Sequence, residues 1–487
     1  MIQKFLKDST IYTIGTILTR GVQIVMLPVL TRLLSKADYG VIDILTLLQG
    51  LVNVVILLEI IQGFARFYSD VEDDNERIKY SSTFFWFVLV SYTVFLITSL
   101  IFADYLVPVI LTRGFPVGIF RIALFSIWGA GIFFAVQNLL RWYLLPKQYA
   151  LVGITSTVIS YTLTIILLYY FKIGIASFFW GLIAGYFVAS IQTLFYIKKQ
   201  LKFVFISEKL KTMLSYSLPL VPAALGMFVL LYIDRIAIKN ILTLADVGVF
   251  GIAARFTGIT GIVFIGFQTA LGPLIFQNYK KAETQNEFAR ILKYFLVVIL
   301  VFISILSIFS IEALKIFTTP AFYSAAGIIP VLCFANLFFT MSIFAPGLQI
   351  AKKTKIIGVI NILGGIINFI LNFLLIPKLG IFGAALSTFT TAALIFNVNM
   401  YFSQKYFPVP HNWRKIVTSF LISFIFIFLV LKIQKMIEIN FILAGVIKLF
   451  LMAVFSYVMI QVLIGWDLFI KIKSQIVDII KIKYLKV

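Results

Sequence analysis

Apolar stretches of roughly 20 residues recur from one end of this chain to the other, each long enough to cross a hydrocarbon core. They fall at approximately 11–33, 41–63, 81–103, 118–140, 150–171, 174–197, 214–237, 247–270, 291–311, 327–350, 356–376, 380–402, 416–433 and 439–464, about fourteen spans in all. Only 12% of the 487 residues are charged, roughly half the share of a soluble protein. The fold class expected is therefore an all-α polytopic membrane protein. A transmembrane barrel would need short alternating segments, which the sequence lacks.

The first thirty residues carry basic residues ahead of an apolar core, as a signal peptide does. Arg20 inside that core, the missing small-residue cleavage site and the spans that follow make it a retained first helix. Cys333 is the sole cysteine, so no intrachain disulfide is possible. The net charge of +22 sits in short loops between spans and argues against a nucleic-acid partner. With the N-terminus inside, about 27 basic residues fall on inner loops against about 11 outside, which predicts cytoplasmic termini. The lysine-rich tail after Trp466, with Ile472, Ile476, Ile479 and Ile480 at helical spacing, reads either as an interfacial helix on an anionic leaflet or as a frayed basic end.

One charged turn is written twice. "LSKADYGV" at Leu34 returns as "LTLADVGV", with Asp38 matched by Asp246 and Gly40 by Gly248, a shift of about 208 residues. "PKQYALVG" at Pro146 resembles "AKKTKIIG" at Ala351, and "FKIGIASFFWG" at Phe171 resembles "PKLGIFGAALS" at Pro377, at nearly the same offset. The expectation is two parallel six-span repeats: an N-lobe over 1–206 and a C-lobe over 207–407. Two further spans and the basic tail occupy 408–487.

These segments, with "DRIAIKNILTLADVGVFGIAARF" and the six-six-two plan, resemble the Wzx-type polysaccharide flippases, relatives of the MATE drug exporters and the lipid II flippase. The resemblance covers essentially the whole chain. It implies two six-helix lobes around a cavity that opens alternately inward and outward, in the cytoplasmic (inner) membrane of a bacterium. The substrate implied is an undecaprenyl-pyrophosphate-linked oligosaccharide for O-antigen, capsule or a similar envelope polymer. By analogy the last two spans form a groove for the lipid tail. A polysaccharide polymerase and glycosyltransferases are the neighbours such a transporter would work beside.

An ionisable group at mid-membrane costs about 2.5–3.5 kcal/mol on insertion scales, so each one needs a reason. Thr13, Thr16, Arg20 and Gln23 share a face of the first span. Asp43, Thr46, Gly50 and Asn53 stripe the second, and Asn361, Gly365, Asn368 and Asn372 the eleventh. Arg20 either pairs with an acid such as Asp43 or binds an anion. Arg255, in the eighth span, is not its repeat counterpart, which favours a substrate role for both. Two guanidiniums suit a pyrophosphate because the planar fork bonds phosphate oxygens in pairs. Arg20, Arg255, Gln23, Asn53 and Asn368 are thus the expected substrate-binding residues.

Asp234 and Arg235, near the end of the seventh span, are either interface anchors or an outer gate. Glu59, Gln62 and Arg66 share a face at the inner end of the second span and form either a gate or a boundary ion pair. With Asp43 these make up the gating or coupling set. Lys448 in the last span is expected to snorkel.

A cation-coupled drug exporter should present carboxylates to its substrate, whereas the first span offers an arginine. A membrane glycosyltransferase or polymerase should carry acid–base groups on a long outer loop or an acidic pair for metal. The outer loops are short, "VEDDNER" at Val71 reads as a solvated inner loop, and His411 stands without companion ligands. Neither an enzyme, a metal site nor a cofactor is expected. Coupling to protons, to sodium or to the membrane potential stays open.

Overall fold

The computed structural model describes residues 2–261, 264, 267, 271, 279, 281, 283–436 and 441–465. Every regular element among them is helical, and thirteen helices are long and apolar enough to span a membrane. The expected end of the eighth span and the tail after Trp466 lie outside the described residues.

Packing divides the chain into two compact units, residues 1–251 with 316–322, and residues 252–315 with 323–487. Helices beyond the repeat boundary expected near 206 pack against the second span. In the first unit α1 (Ile2–Leu33), α6 (Val117–Trp142), α7 (Pro146–Ile166) and α8 (Ala176–Ile197) form one bundle. Small residues let these helices approach closely, with Gly15 against Ala150 and Gly185 against Ser156 and Ser160. α4 (Asp74–Ile101) packs on α6, its buried Tyr92 ring set against Gly131.

The second span is broken. α2 (Lys36–Leu57) ends where Leu58 and Glu59 both adopt left-handed backbone, with φ of 50° and 55°. Such conformations cost non-glycine residues about 1–3 kcal/mol each. The chain resumes as α3 (Ile60–Asp70), a separate helix that packs on α9 (Ser207–Ser217). The face expected to join Glu59 to Gln62 and Arg66 is therefore not continuous. α10 (Val221–Ile241) and the start of α11 (Leu244–Gly258) complete this unit.

In the second unit α12 (Glu283–Ile308) packs on α14 (Ile329–Met341), α17 (Trp413–Met436) and α18 (Phe441–Leu463). α13 (Ser310–Phe317) follows α12 directly, and α15 (Thr354–Leu379) pairs with α16 (Ile381–Tyr406).

Candidate functional site

The bundle α1/α6/α7/α8 encloses a cavity of about 280 Å³. Thr16, Thr19 and Gln23 face it from α1, Gln137 from α6, and Ser156, Thr157 and Ser160 from α7. Tyr149, Tyr161 and Tyr186 add three phenol rings. Several of the hydroxyls donate to their own helix: Thr16 to the Tyr12 carbonyl, Thr19 to that of Thr16 and Thr157 to that of Gly153, each at 2.9 Å. Their lone pairs remain available as acceptors, while the glutamine amides and phenols supply donors. Among the described residues no charged one lines the cavity. Its chemistry is that of a neutral polyhydroxyl ligand, with ring faces for the apolar side of a sugar.

Gln23 is where the first-span stripe put it, and Arg20 is not. The cavity takes Thr16, Thr19 and Gln23, while Arg20 is exposed outside the lining. The lining face is centred between Thr16 and Thr19, and Arg20, about 40° beyond Thr16 and about 100° from Thr19, falls at its edge. Arg255 is likewise exposed and engaged in an interaction of its own, and it belongs to the second unit.

Two other expected substrate-binding residues are hydrogen-bonded to neighbouring side chains. Asn53 accepts a hydrogen bond from the buried Tyr92 hydroxyl of α4. Asn368 is fully buried on α15, where its Oδ1 accepts from Asn372 Nδ2 at 2.6 Å. Asn53 thus serves helix contact, the alternative to a wet face that keeps amides out of lipid, whereas Asn368 bonds within its own helix.

Asp43 pairs with Arg235 rather than Arg20. The Arg235 Nε lies 2.7 Å from Asp43 Oδ2, with both side chains largely buried. The guanidinium also sits 5.7 Å from the Tyr232 ring and 5.5 Å from that of Phe250. Gly251 of α11 leaves room for the Asp43 carboxylate, about 2.9 Å from where a β-carbon would stand. Asp234 beside it is buried and engaged. Glu59 caps no helix with its side chain, and Arg66 pairs with Asp70 at 2.8 Å in an exposed boundary contact.

The twice-written turn builds a crossing next to this pair. Ser35 and Asp38 form a capping box at the start of α2, and Thr243 and Asp246 exchange the same bonds at the start of α11. Gly40 then abuts the Leu244 carbonyl, while Gly248 abuts that of Lys36. Under the repeat shift Lys36 corresponds to Leu244 and Gly40 to Gly248, so each contact is the other's counterpart. Any side chain at either glycine collides with backbone.

Lys448 does not snorkel. It is buried in the second unit, with Nζ 2.6 Å from Glu312 Oε1, 2.7 Å from the Ile308 carbonyl and 2.9 Å from Gln434 Oε1. Gln434 in turn donates to Glu312 at 3.1 Å. Sequence reasoning missed this network, although Glu312 is an acid directly after the expected ninth span. The cavity residues of α7 were missed too, although Ser156 and Ser160 stand four residues apart on one face.

Residues 29–267 match the family described as "Polysaccharide biosynthesis protein". A curated relative, an uncharacterized membrane protein of Methanocaldococcus jannaschii, is 24% identical over 248 residues, and the chain spans about half of its length. Among solved structures, the lipid II flippase MurJ in an inward closed conformation aligns with a TM-score of 0.68 at 18% identity, over 92% of this chain and 98% of that one. An inward-facing MATE-family multidrug transporter of the MOP superfamily aligns with a TM-score of 0.61 at 15% identity, over 81% and 94%. The two solved neighbours are a transporter and a flippase. The chain is a multi-pass membrane protein with the fold of these two solved transport proteins, and its residues 29–267 resemble the polysaccharide biosynthesis protein family.

Proposed function

We propose that the protein flips a polyprenyl-pyrophosphate-linked oligosaccharide across the cytoplasmic membrane by alternating access, with both termini on the cytoplasmic side. The observation that carries this reading is the uncharged cavity lined by hydroxyls, amides and tyrosines. A sugar offers several hydroxyls and an apolar ring face, and that lining matches both. An organic cation would want a carboxylate, which the lining lacks.

In this reading Gln23, Gln137 and the α7 hydroxyls hold part of the glycan, and Arg20 and Arg255 are separate candidates for the pyrophosphate. The Asp43–Arg235 pair and the glycine crossing of α2 with α11 close the outer mouth, and must part for release. Transport needs no covalent chemistry. It needs substrate to bind two conformations differently enough to shift their populations.

The test is translocation of a fluorescent lipid-linked oligosaccharide in proteoliposomes. Replacing both Gln23 and Gln137 with leucine should cut transport at least tenfold while leaving membrane insertion intact. Alanine at Arg20 or Arg255 should also abolish it, with lysine rescuing in part because charge survives and the paired fork does not. Full transport by the leucine pair would reject the cavity as a glycan site, and full transport by both alanine variants would reject the arginines as headgroup ligands.

A further inference from the structure

At one boundary of the second unit, α12 carries Asn286, Arg290, Lys293 and Tyr294, spaced so that all four share a face. That face, together with Pro410 before α17 and Ile464 after α18, lines a cavity of about 370 Å³. Among the described residues two cations enter the lining and no acid does: Glu283 and Glu287, at the start of the same helix, stand outside it. Next to Pro410, His411 is buried with neither ring nitrogen hydrogen-bonded. Burial and the nearby Lys293 ammonium push its pKa down to about 4, so the ring is neutral. Its 5.3 Å edge contact with Trp413 packs the ring without satisfying it. Lys293 thus joins a cavity lined by two cations to a neutral imidazole without a hydrogen bond.

We propose that the cavity binds a phosphate-bearing anion, held by the Arg290 fork, the Lys293 ammonium and the Asn286 and Tyr294 side chains. Arginine supplies paired donors in the plane of two phosphate oxygens, and lysine a point charge beside them. Basic pockets between spanning helices at a membrane boundary are suited to acidic headgroups. The apolar Pro410 and Ile464 walls would take the glycerol end of a lipid. The site is separate from the neutral cavity of the first unit and does not rest on the transport reading.

The experiment uses the full chain, purified in detergent, with phosphatidylglycerol, phosphatidylcholine and inorganic phosphate as probes. Native mass spectrometry should find phosphatidylglycerol retained at least tenfold over phosphatidylcholine. Arg290→Gln/Lys293→Gln should lose that preference, and the charge-keeping Arg290→Lys/Lys293→Arg should retain most of it. If millimolar phosphate raises the melting temperature of wild type and displaces the lipid, free phosphate is a ligand of the site. If it does neither while the preference holds, the ligand is a lipid headgroup. A wild type with no preference and no response to phosphate overturns the proposal, as does an undiminished preference in the glutamine variant. Should that variant fail to fold, the two wild-type measurements decide alone.

Discussion

At the scale of single residues, the buried charges divide by whether a partner was found. Asp43 and Arg235 lose hydration on burial and recover it through one short contact and two ring faces. Arg235→Ala should therefore destabilise the protein by about 1–3 kcal/mol, because the largely buried Asp43 loses its short charged contact. Asp43→Asn/Arg235→Gln should cost much less, and the comparison is a double-mutant cycle read by unfolding in detergent. His411 is the opposite case, a titratable ring held neutral. Its folded pKa of about 4 lies below the ordinary 6.5, so between those values the unfolded chain binds more protons. Stability should fall as pH drops from 6.5 toward 4, by on the order of 3 kcal/mol at most, and level off below. Thermal melts of His411→Gln against wild type across that range check the sign, since the variant should lose this part of the slope. The presence of ionisable residues in the spans was legible from the sequence, but their partners were not. Asp43 meets Arg235 across 192 positions, and only the close packing of α2 with α10 brings them together.

At the scale of elements, the span positions followed directly from apolar length, whereas interruptions inside spans did not. The Leu58–Glu59 break has no proline or glycine to announce it, and only the docking of α3 on α9 explains why two residues accept left-handed backbone. Polar stripes were legible as stripes, yet periodicity alone cannot separate a wet face from a helix contact: Gln23 lines the cavity, Asn53 bonds to a neighbouring helix and Asn368 bonds within its own. The Glu312–Gln434–Lys448 network ties α13, α17 and α18 together. Lys448→Met should strand Glu312 and lower stability by about 3–5 kcal/mol, whereas Lys448→Met/Glu312→Gln should be nearly neutral. Melting temperatures and yields of folded protein from membranes would separate the two. Equal losses from the single and double variants would mean that packing of the lysine stem, not its charge, is what α18 requires.

At the scale of the whole molecule, the repeat is the part of the sequence with the widest reach. A capping box followed by glycine two residues later, written twice, places two helix starts so that each backbone fills the space the other's glycine leaves empty. A contact of two equivalent surfaces can close and reopen without exposing new chemistry, since what it hides is backbone and two charged side chains. If α2 and α11 part during transport, tying them together must stop it. Lys36→Cys and Leu244→Cys place thiols at the two ends of the crossing, and Cys333, the sole native thiol, is buried. A short bifunctional thiol reagent should link them and reduce transport at least tenfold, and a cleavable version should restore it on reduction. Gly40→Ala should act in the reverse sense, propping the crossing apart and lowering the yield of that cross-link, because the added methyl meets the Leu244 carbonyl. Complete cross-linking with unchanged transport would leave the crossing as a fixed joint, and the moving contact would then have to lie elsewhere in the chain.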